Sequence, residues 1–146
     1  MSKIADDYLR LRPFVDSSTS ENPQYERLTA AMEQSTDTDF ATTAISLEEQ
    51  MRGWLAAINR ARSVHDQPLY YARLTGLVDF YSRWHVVSFH DAAADRFVAL
   101  RKEGIRIGTT DLKIAAIALT NDAVVLSANL RDFEQVPGLR VENWLR

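Results

Sequence analysis

Apolar residues recur along this chain with two alternating periods, one helical and one extended. Asn22-Pro23 can cap and open a helix that places Tyr25, Leu28 and Met32 on one face. FATTAIS, ending at Ser46, reads as a buried strand. LEEQMRGWLAAINRAR then carries Leu47, Met51, Trp54, Leu55 and Ile58 at helical spacing. DQPLYYARLTGLVDFYSRW predicts a second amphipathic helix, VVSF at 86–89 a short strand, and HDAAADRFVALRKEG a helix stopped by Gly104. IRIG reads as a further short strand and TTDLKIAAIAL as a helix opening on Thr110 and Asp111. DAVVLSAN is a strongly apolar strand and LRVENW a last one. Strand and helix alternating at this spacing predict an α/β domain with a mainly parallel sheet. In such sheets, sites form beyond the carboxyl ends of the strands, so the polar residues there matter most.

Composition narrows the chemistry. The 146 residues suit one domain, and 46% hydrophobic with 25% charged residues suits a folded, soluble protein. A net charge of -3 gives no overall pull toward nucleic acid or membranes, so any RNA contact must come from a local patch. Cysteine is absent, which removes disulfides, thiolate metal sites and cysteine nucleophiles. No apolar signal region opens the chain and no apolar run is long enough to span a bilayer, so a cytoplasmic protein without a membrane partner is expected.

Acids and amides cluster at the expected strand ends. Glu48 and Glu49 follow FATTAIS, Asp111 follows IRIG, and Asn129 and Asp132 follow the apolar strand. If those strands are parallel neighbours, the acids converge, and carboxylates crowded together need a cation among them. Oxygen donors without His or Cys suit Mg²⁺ or Mn²⁺, which can activate water and clamp a phosphodiester. Each acid also has an ordinary structural reading. Ser46-x-x-Glu49 fits a capping box, Asp111 suits the positive end of a helix dipole, and Asn129 with Asp132 could make a turn. Spacing alone favours those readings. His65, His85 and His90 share no ligand spacing, and Trp54, Trp84 and Trp144 suit packing better than base stacking. Arg101, Lys102, Arg106 and Lys113 could hold phosphate but read more simply as a solvated face.

The motifs taken together are more specific. ISLEEQMRGW, IRIGTTDLKIAAIAL and VVLSANLRDFEQVPGLRVENW, in that order, resemble PIN domains, and VapC-type toxins of bacterial toxin–antitoxin pairs in particular. The resemblance runs from Asn22 to the C-terminus, with residues 1–21 atypical, and implies one PIN-like α/β/α sandwich over residues 1–146. It implies a metal-dependent endoribonuclease that acts on RNA, is neutralised by a cognate antitoxin and forms a homodimer. By motif, Glu49 matches the acid of an E-x-x-x-G element ending at Gly53. Asp111 matches the aspartate of D-x-x-I-A-A, and Asn129 and Asp132 match N-x-x-D-F. Glu49, Asp111 and Asp132 would hold Mg²⁺ or Mn²⁺, and Asn129 would orient the ligands or the scissile phosphate.

One part of the pattern is missing. The family begins with a central strand ending in an aspartate, in a motif such as D-S-D-H-L-S. Here Asp6, Asp7 and Asp16 are the nearby candidates, and Asp16 lies too close to Pro23 for the helix that normally follows. Counting back without gaps places the missing aspartate at Arg10 and its companion at Arg12. A guanidinium there would repel the metal by about 2 kcal/mol per charge at ~4 Å and an effective dielectric near ~40. YLRLR alternates and Pro13 cannot donate to a ladder, so this segment would survive only as an edge or frayed strand, with Leu9, Leu11, Phe14 and Val15 partly buried. Weak or absent activity follows, with a catalytically inactive module that binds an antitoxin or itself as the alternative. Asp6 or Asp7 could rescue the site through a shifted strand register. Back-translation of YLRLRPFVDSSTS displaced by one nucleotide permits the family motif in register, which suggests a frameshifted reading. The gene's nucleotide sequence checks this: the displaced frame must spell D-S-D-H-L-S, and any other reading removes the idea.

Overall fold

The computed structural model describes residues 3–5, 23–36 and 39–144. Five strands, β1 (Lys3–Ala5), β2 (Phe40–Thr43), β3 (His85–Val87), β4 (Val124–Leu126) and β5 (Arg140–Glu142), form one sheet in the order β3-β2-β1-β4-β5. All four pairings are parallel. Helices α1 (Pro23–Gln34), α2 (Ala44–Arg60), α3 (Gln67–Ser82), α4 (Asp91–Lys102), α5 (Thr109–Thr120) and the short α6 (Leu130–Phe133) connect them. This is the expected PIN-like α/β/α arrangement, and the sheet is parallel throughout.

The layers can be read from β4. Its three residues are all buried, as a central parallel strand requires. Val125 packs into the main cluster with Ile4, Leu100, Ile114, Ile117 and Phe133, on the side of α4 and α5. Val124 and Leu126 face the other way, against Met32, Phe40 and Trp144. Helix α5 is apolar nearly all round, with Leu112, Ile114, Ala115, Ala116, Ile117 and Ala118 fully buried, which suits a helix enclosed by the sheet and α4. Its alanines allow that close approach. A third cluster joins α2 to α3 through Leu47, Trp54, Leu74, Leu77 and Tyr81. The apolar stripe expected on α2 is divided: Leu47, Trp54 and Ile58 turn inward, whereas Met51 and Leu55 are exposed.

Three sequence expectations change. IRIG forms no strand; residues 105–108 are a loop, because Arg101 rather than a neighbouring strand binds its carbonyls. The strand FATTAIS ends at Thr43 instead of Ser46. Thr43 caps α2, its hydroxyl accepting from the Ser46 backbone N–H at 3.1 Å, so Ala44 to Ser46 are already helical. The first strand lies earlier than expected, and the edge or frayed strand expected of YLRLR falls outside the described residues. Lys3–Ala5 occupies the centre, with Ile4 and Ala5 buried between β2 and β4. The described strand therefore lies before the Arg10 position given by gap-free counting, which assumes a fixed length between first strand and first helix. Arg10, Arg12 and the expected burial of Leu9, Leu11, Phe14 and Val15 lie outside the described residues.

Ile117→Ala, at a fully buried position, should cost about 2–5 kcal/mol in urea denaturation, whereas Val78→Ala, 73% exposed, should stay within about 0.5 kcal/mol.

Candidate functional site

Sheet order determines where a site can form. Passing from β1 to β2 extends the sheet in one direction, and β4 adds on the opposite side of β1. The carboxyl ends of β1 and β4 thus flank a topological switch point, where open parallel sheets leave a crevice. Ser127 and Asn129 follow β4 directly, and Asp132 lies in the first turn of α6. Asp111 reaches the same place from α5, as the third residue of that helix.

These residues meet on one carboxamide. Asn129 Nδ2 donates to Asp111 Oδ2 at 3.1 Å and to Asp132 Oδ2 at 3.0 Å. Both amide protons are thereby used, leaving Oδ1 as an acceptor. Asn129 occupies the N-cap position of α6, yet its side chain makes no capping bond. The two carboxylates take it instead. Its backbone N–H donates to Ser127 Oγ at 3.0 Å, and Ser127 is 1% exposed, so the turn carrying the carboxamide is anchored from below. Asp111, Asn129 and Asp132 are all half-buried. Two negative groups are held together by a neutral donor.

Glu49 occupies the other flank. With Thr43 as the cap, Ser46 and Glu49 no longer form a capping box at the start of α2. Glu49 stands in the second turn, where the backbone needs no cap, so the capping-box reading of it does not hold. Its neighbour Glu48 instead pairs with Arg52 Nη2 at 2.7 Å on the exposed face. Glu49 lines an open groove of about 650 Å³ with Gln50, Gly53, Trp54, Ala57 and Arg60. A Cβ added at Gly53 would meet nothing within 4 Å, so the helix itself does not require glycine there.

The expected gathering of acids is therefore divided. The structure joins Asp111, Asn129 and Asp132 but does not draw Glu49 into that group. Among the described residues, no three His, Asp or Glu side chains come together to hold a metal. The reason is topological: α2 begins at the end of β2, α6 follows β4, and β1 runs between the two strands. The residue bonded to Ala5 at the end of β1 is Asp6, which lies outside the described residues, as do Asp7 and Asp16. The donors present are all oxygens, a set that fits Mg²⁺ or Mn²⁺.

Other candidates separate from the site. His65, His85 and His90 are exposed. Trp54 stacks on Tyr70 at 6.1 Å, Trp84 lies against Phe80 and Trp144 meets Phe40 edge-on. Arg101, expected on a solvated face, turns its guanidinium into the loop before α5, and Lys113 lies over the Phe89 ring. A basic residue in the last turn of a helix is too common a pattern to have revealed that role.

Comparison with known proteins now bears on this geometry. No family model matches the chain. Ribonuclease VapC2 of Haemophilus influenzae is 39% identical over 71 residues, covering 46% of this chain and 54% of that protein. The tRNA(fMet)-specific endonuclease VapC of Salmonella typhimurium is 38% identical over 69 residues, covering 44% and 52%. The chain thus spans about half the length of the curated relatives it matches. A structure of VapBC-1 from nontypeable Haemophilus influenzae superposes with a TM-score of 0.69 over 99% of this chain and 98% of that one, at 18% identity. The resemblance to VapC-type PIN domains read from the motifs holds in both sequence and fold.

Asn129→Ala should lower stability by on the order of 1 kcal/mol in urea denaturation, since two charge-assisted bonds disappear and two half-buried carboxylates face each other undamped.

Proposed function

We propose that this chain is a VapC-type endoribonuclease that cleaves RNA phosphodiesters with Mg²⁺ or Mn²⁺. The observation that carries this reading is the Asn129 carboxamide, which holds Asp111 and Asp132 together beside the carboxyl end of β1. Similarity to proteins named as ribonucleases supports it. Asp111 and Asp132 would hold the ion on one flank and Glu49 would face it from the other. Asp6, which follows Ala5 in the sequence, is the residue we propose as the counterpart of the first-strand aspartate. On this reading, the loss of activity expected from an arginine at that position does not follow.

The ion supplies Lewis acidity toward the phosphodiester and toward water. The chain's own residues keep the carboxylates ionised and oriented. Asn129 offers two fixed N–H groups, Ser127 anchors the turn beneath it, and the N-terminus of α5 favours a charged Asp111. Arg60 in the groove beside Glu49 supplies a cation along which an RNA strand can lie.

A partner protein belongs to the same proposal, as the likeness to a VapBC structure suggests. Met51 and Leu55 on α2 with Leu69 and Val78 on α3 give it apolar surface for an antitoxin or a second copy. No helix among the described residues is long and apolar enough to cross a membrane. The division of Glu49 from the Asp111–Asp132 pair favours a second reading, an inactive PIN-like module that captures an antitoxin without cutting RNA.

Cleavage assays on the full chain, with initiator tRNA as the first probe, distinguish the two. Cleavage should require Mg²⁺ or Mn²⁺, stop with EDTA, and fall by at least about a hundredfold in both Asp111→Asn and Asp6→Asn, while Asp16→Asn stays near wild type. Full activity in Asp6→Asn would remove that residue from the site. No cleavage together with antitoxin capture would establish the second reading.

A further inference from the structure

Asp111 is positioned by a helix whose start has no cap of its own. Gly108 occupies the N-cap position of α5 and supplies no side-chain bond. The residues before it, 105–108, belong to no strand or helix. Something else must fix the loop, because an error in its path would move Asp111, three residues on from Gly108.

Arg101 makes the contacts that do so. It stands in the last turn of α4, and its Nη1 donates to the carbonyl oxygens of both Ile105 and Ile107, each at 2.9 Å. Its Nη2 reaches Thr109 Oγ1 at 3.4 Å, inside the first turn of α5. One planar fork therefore spans the loop from its beginning to the helix it feeds. The fork is itself confined. Its guanidinium lies 5.4 Å from the Phe97 ring centre, Phe97 meets Phe89 edge-on, and Lys113 of α5 covers Phe89 from 5.6 Å.

The backbone entering the loop is equally constrained. Gly104 adopts φ +89, and its N–H donates to the Arg101 carbonyl while that of Ile105 donates to Leu100, the paired bonds of a Schellman ending. Arg106 Nη1 returns to the same Arg101 carbonyl at 3.1 Å. Buried Ile107 secures the loop from below. Arg101 is thus bonded at both its backbone and its side chain to the segment that delivers Asp111.

We infer that Arg101 is a positioning residue for the site: it sets the start of α5 so that Asp111 meets the Asn129 carboxamide. A lysine cannot reproduce this, because one ammonium lacks the fork that reaches two carbonyls and a hydroxyl together. The inference concerns the placement of Asp111. Only its metal arm rests on the nuclease reading.

The test uses the ¹⁵N-labelled full chain, with the Asn129 side-chain NH₂ protons and the amides of residues 107–112 followed by hydrogen exchange. Arg101→Met should accelerate both by about tenfold or more at a temperature where circular dichroism shows an intact fold, with Arg101→Lys intermediate. Leu77→Ala, a core change in the α2–α3 cluster, should weaken the whole protein without moving the Asn129 signal. Mn²⁺ dissociation constants should rise by about tenfold in Arg101→Met. Wild-type exchange at Asn129 in Arg101→Met, or equal acceleration in Leu77→Ala, overturns the inference. If Arg101→Met does not fold, Arg101→Lys decides by the same criteria. Should the wild type bind no Mn²⁺, the nuclease reading fails while the exchange data still decide the role of Arg101.

Discussion

Two carboxylates drawn to within a few ångströms of each other repel, and the site exists because one carboxamide opposes that repulsion. At separations near ~5 Å and effective dielectrics between ~20 and ~80, the repulsion amounts to about 1–3 kcal/mol. Asn129 answers it with one N–H for Asp111 and one for Asp132. The rest of the fold brings those three residues to one place from two helix starts eighteen positions apart in sequence. Such an arrangement holds two negative charges side by side.

Strand order governs what the carboxamide can gather. Because β1 runs between β2 and β4, the helix carrying Glu49 and the pair on α5 and α6 follow strands on opposite sides of it. The length of β1 and the residue that follows it therefore carry more functional weight than their number suggests. Ile4 and Ala5 are buried because both faces of a central strand are covered.

Much of this was legible in the amino-acid pattern, and the exceptions have physical causes. D-x-x-I-A-A and N-x-x-D-F were informative as the motifs that carry the resemblance to PIN domains, whereas spacing alone favoured a helix dipole and a turn for Asp111, Asn129 and Asp132. The same holds for VVL, whose unbroken apolarity reads as a strand buried on both faces. IRIG looked like a strand, since isoleucine repeats at period two, but a guanidinium from α4 satisfies its carbonyls where a neighbouring strand would have done so. Ser46 looked like a cap because Ser-x-x-Glu is the usual signature, yet Thr43 stood three residues earlier with a hydroxyl equally able to accept. The first strand was misplaced because KIA is too short to announce itself, and only its two neighbours in space make it a strand.

The most direct measurement is anomalous diffraction from crystals of the full chain soaked in Mn²⁺, collected near the manganese edge. A single strong peak should lie within coordination distance of carboxylate oxygens of Asp111 and Asp132, on the side facing the end of β1, with the Asn129 carboxamide still bonded to at least one of them. A peak elsewhere, or none while Asp111 and Asp132 stand in clear density, would contradict the account.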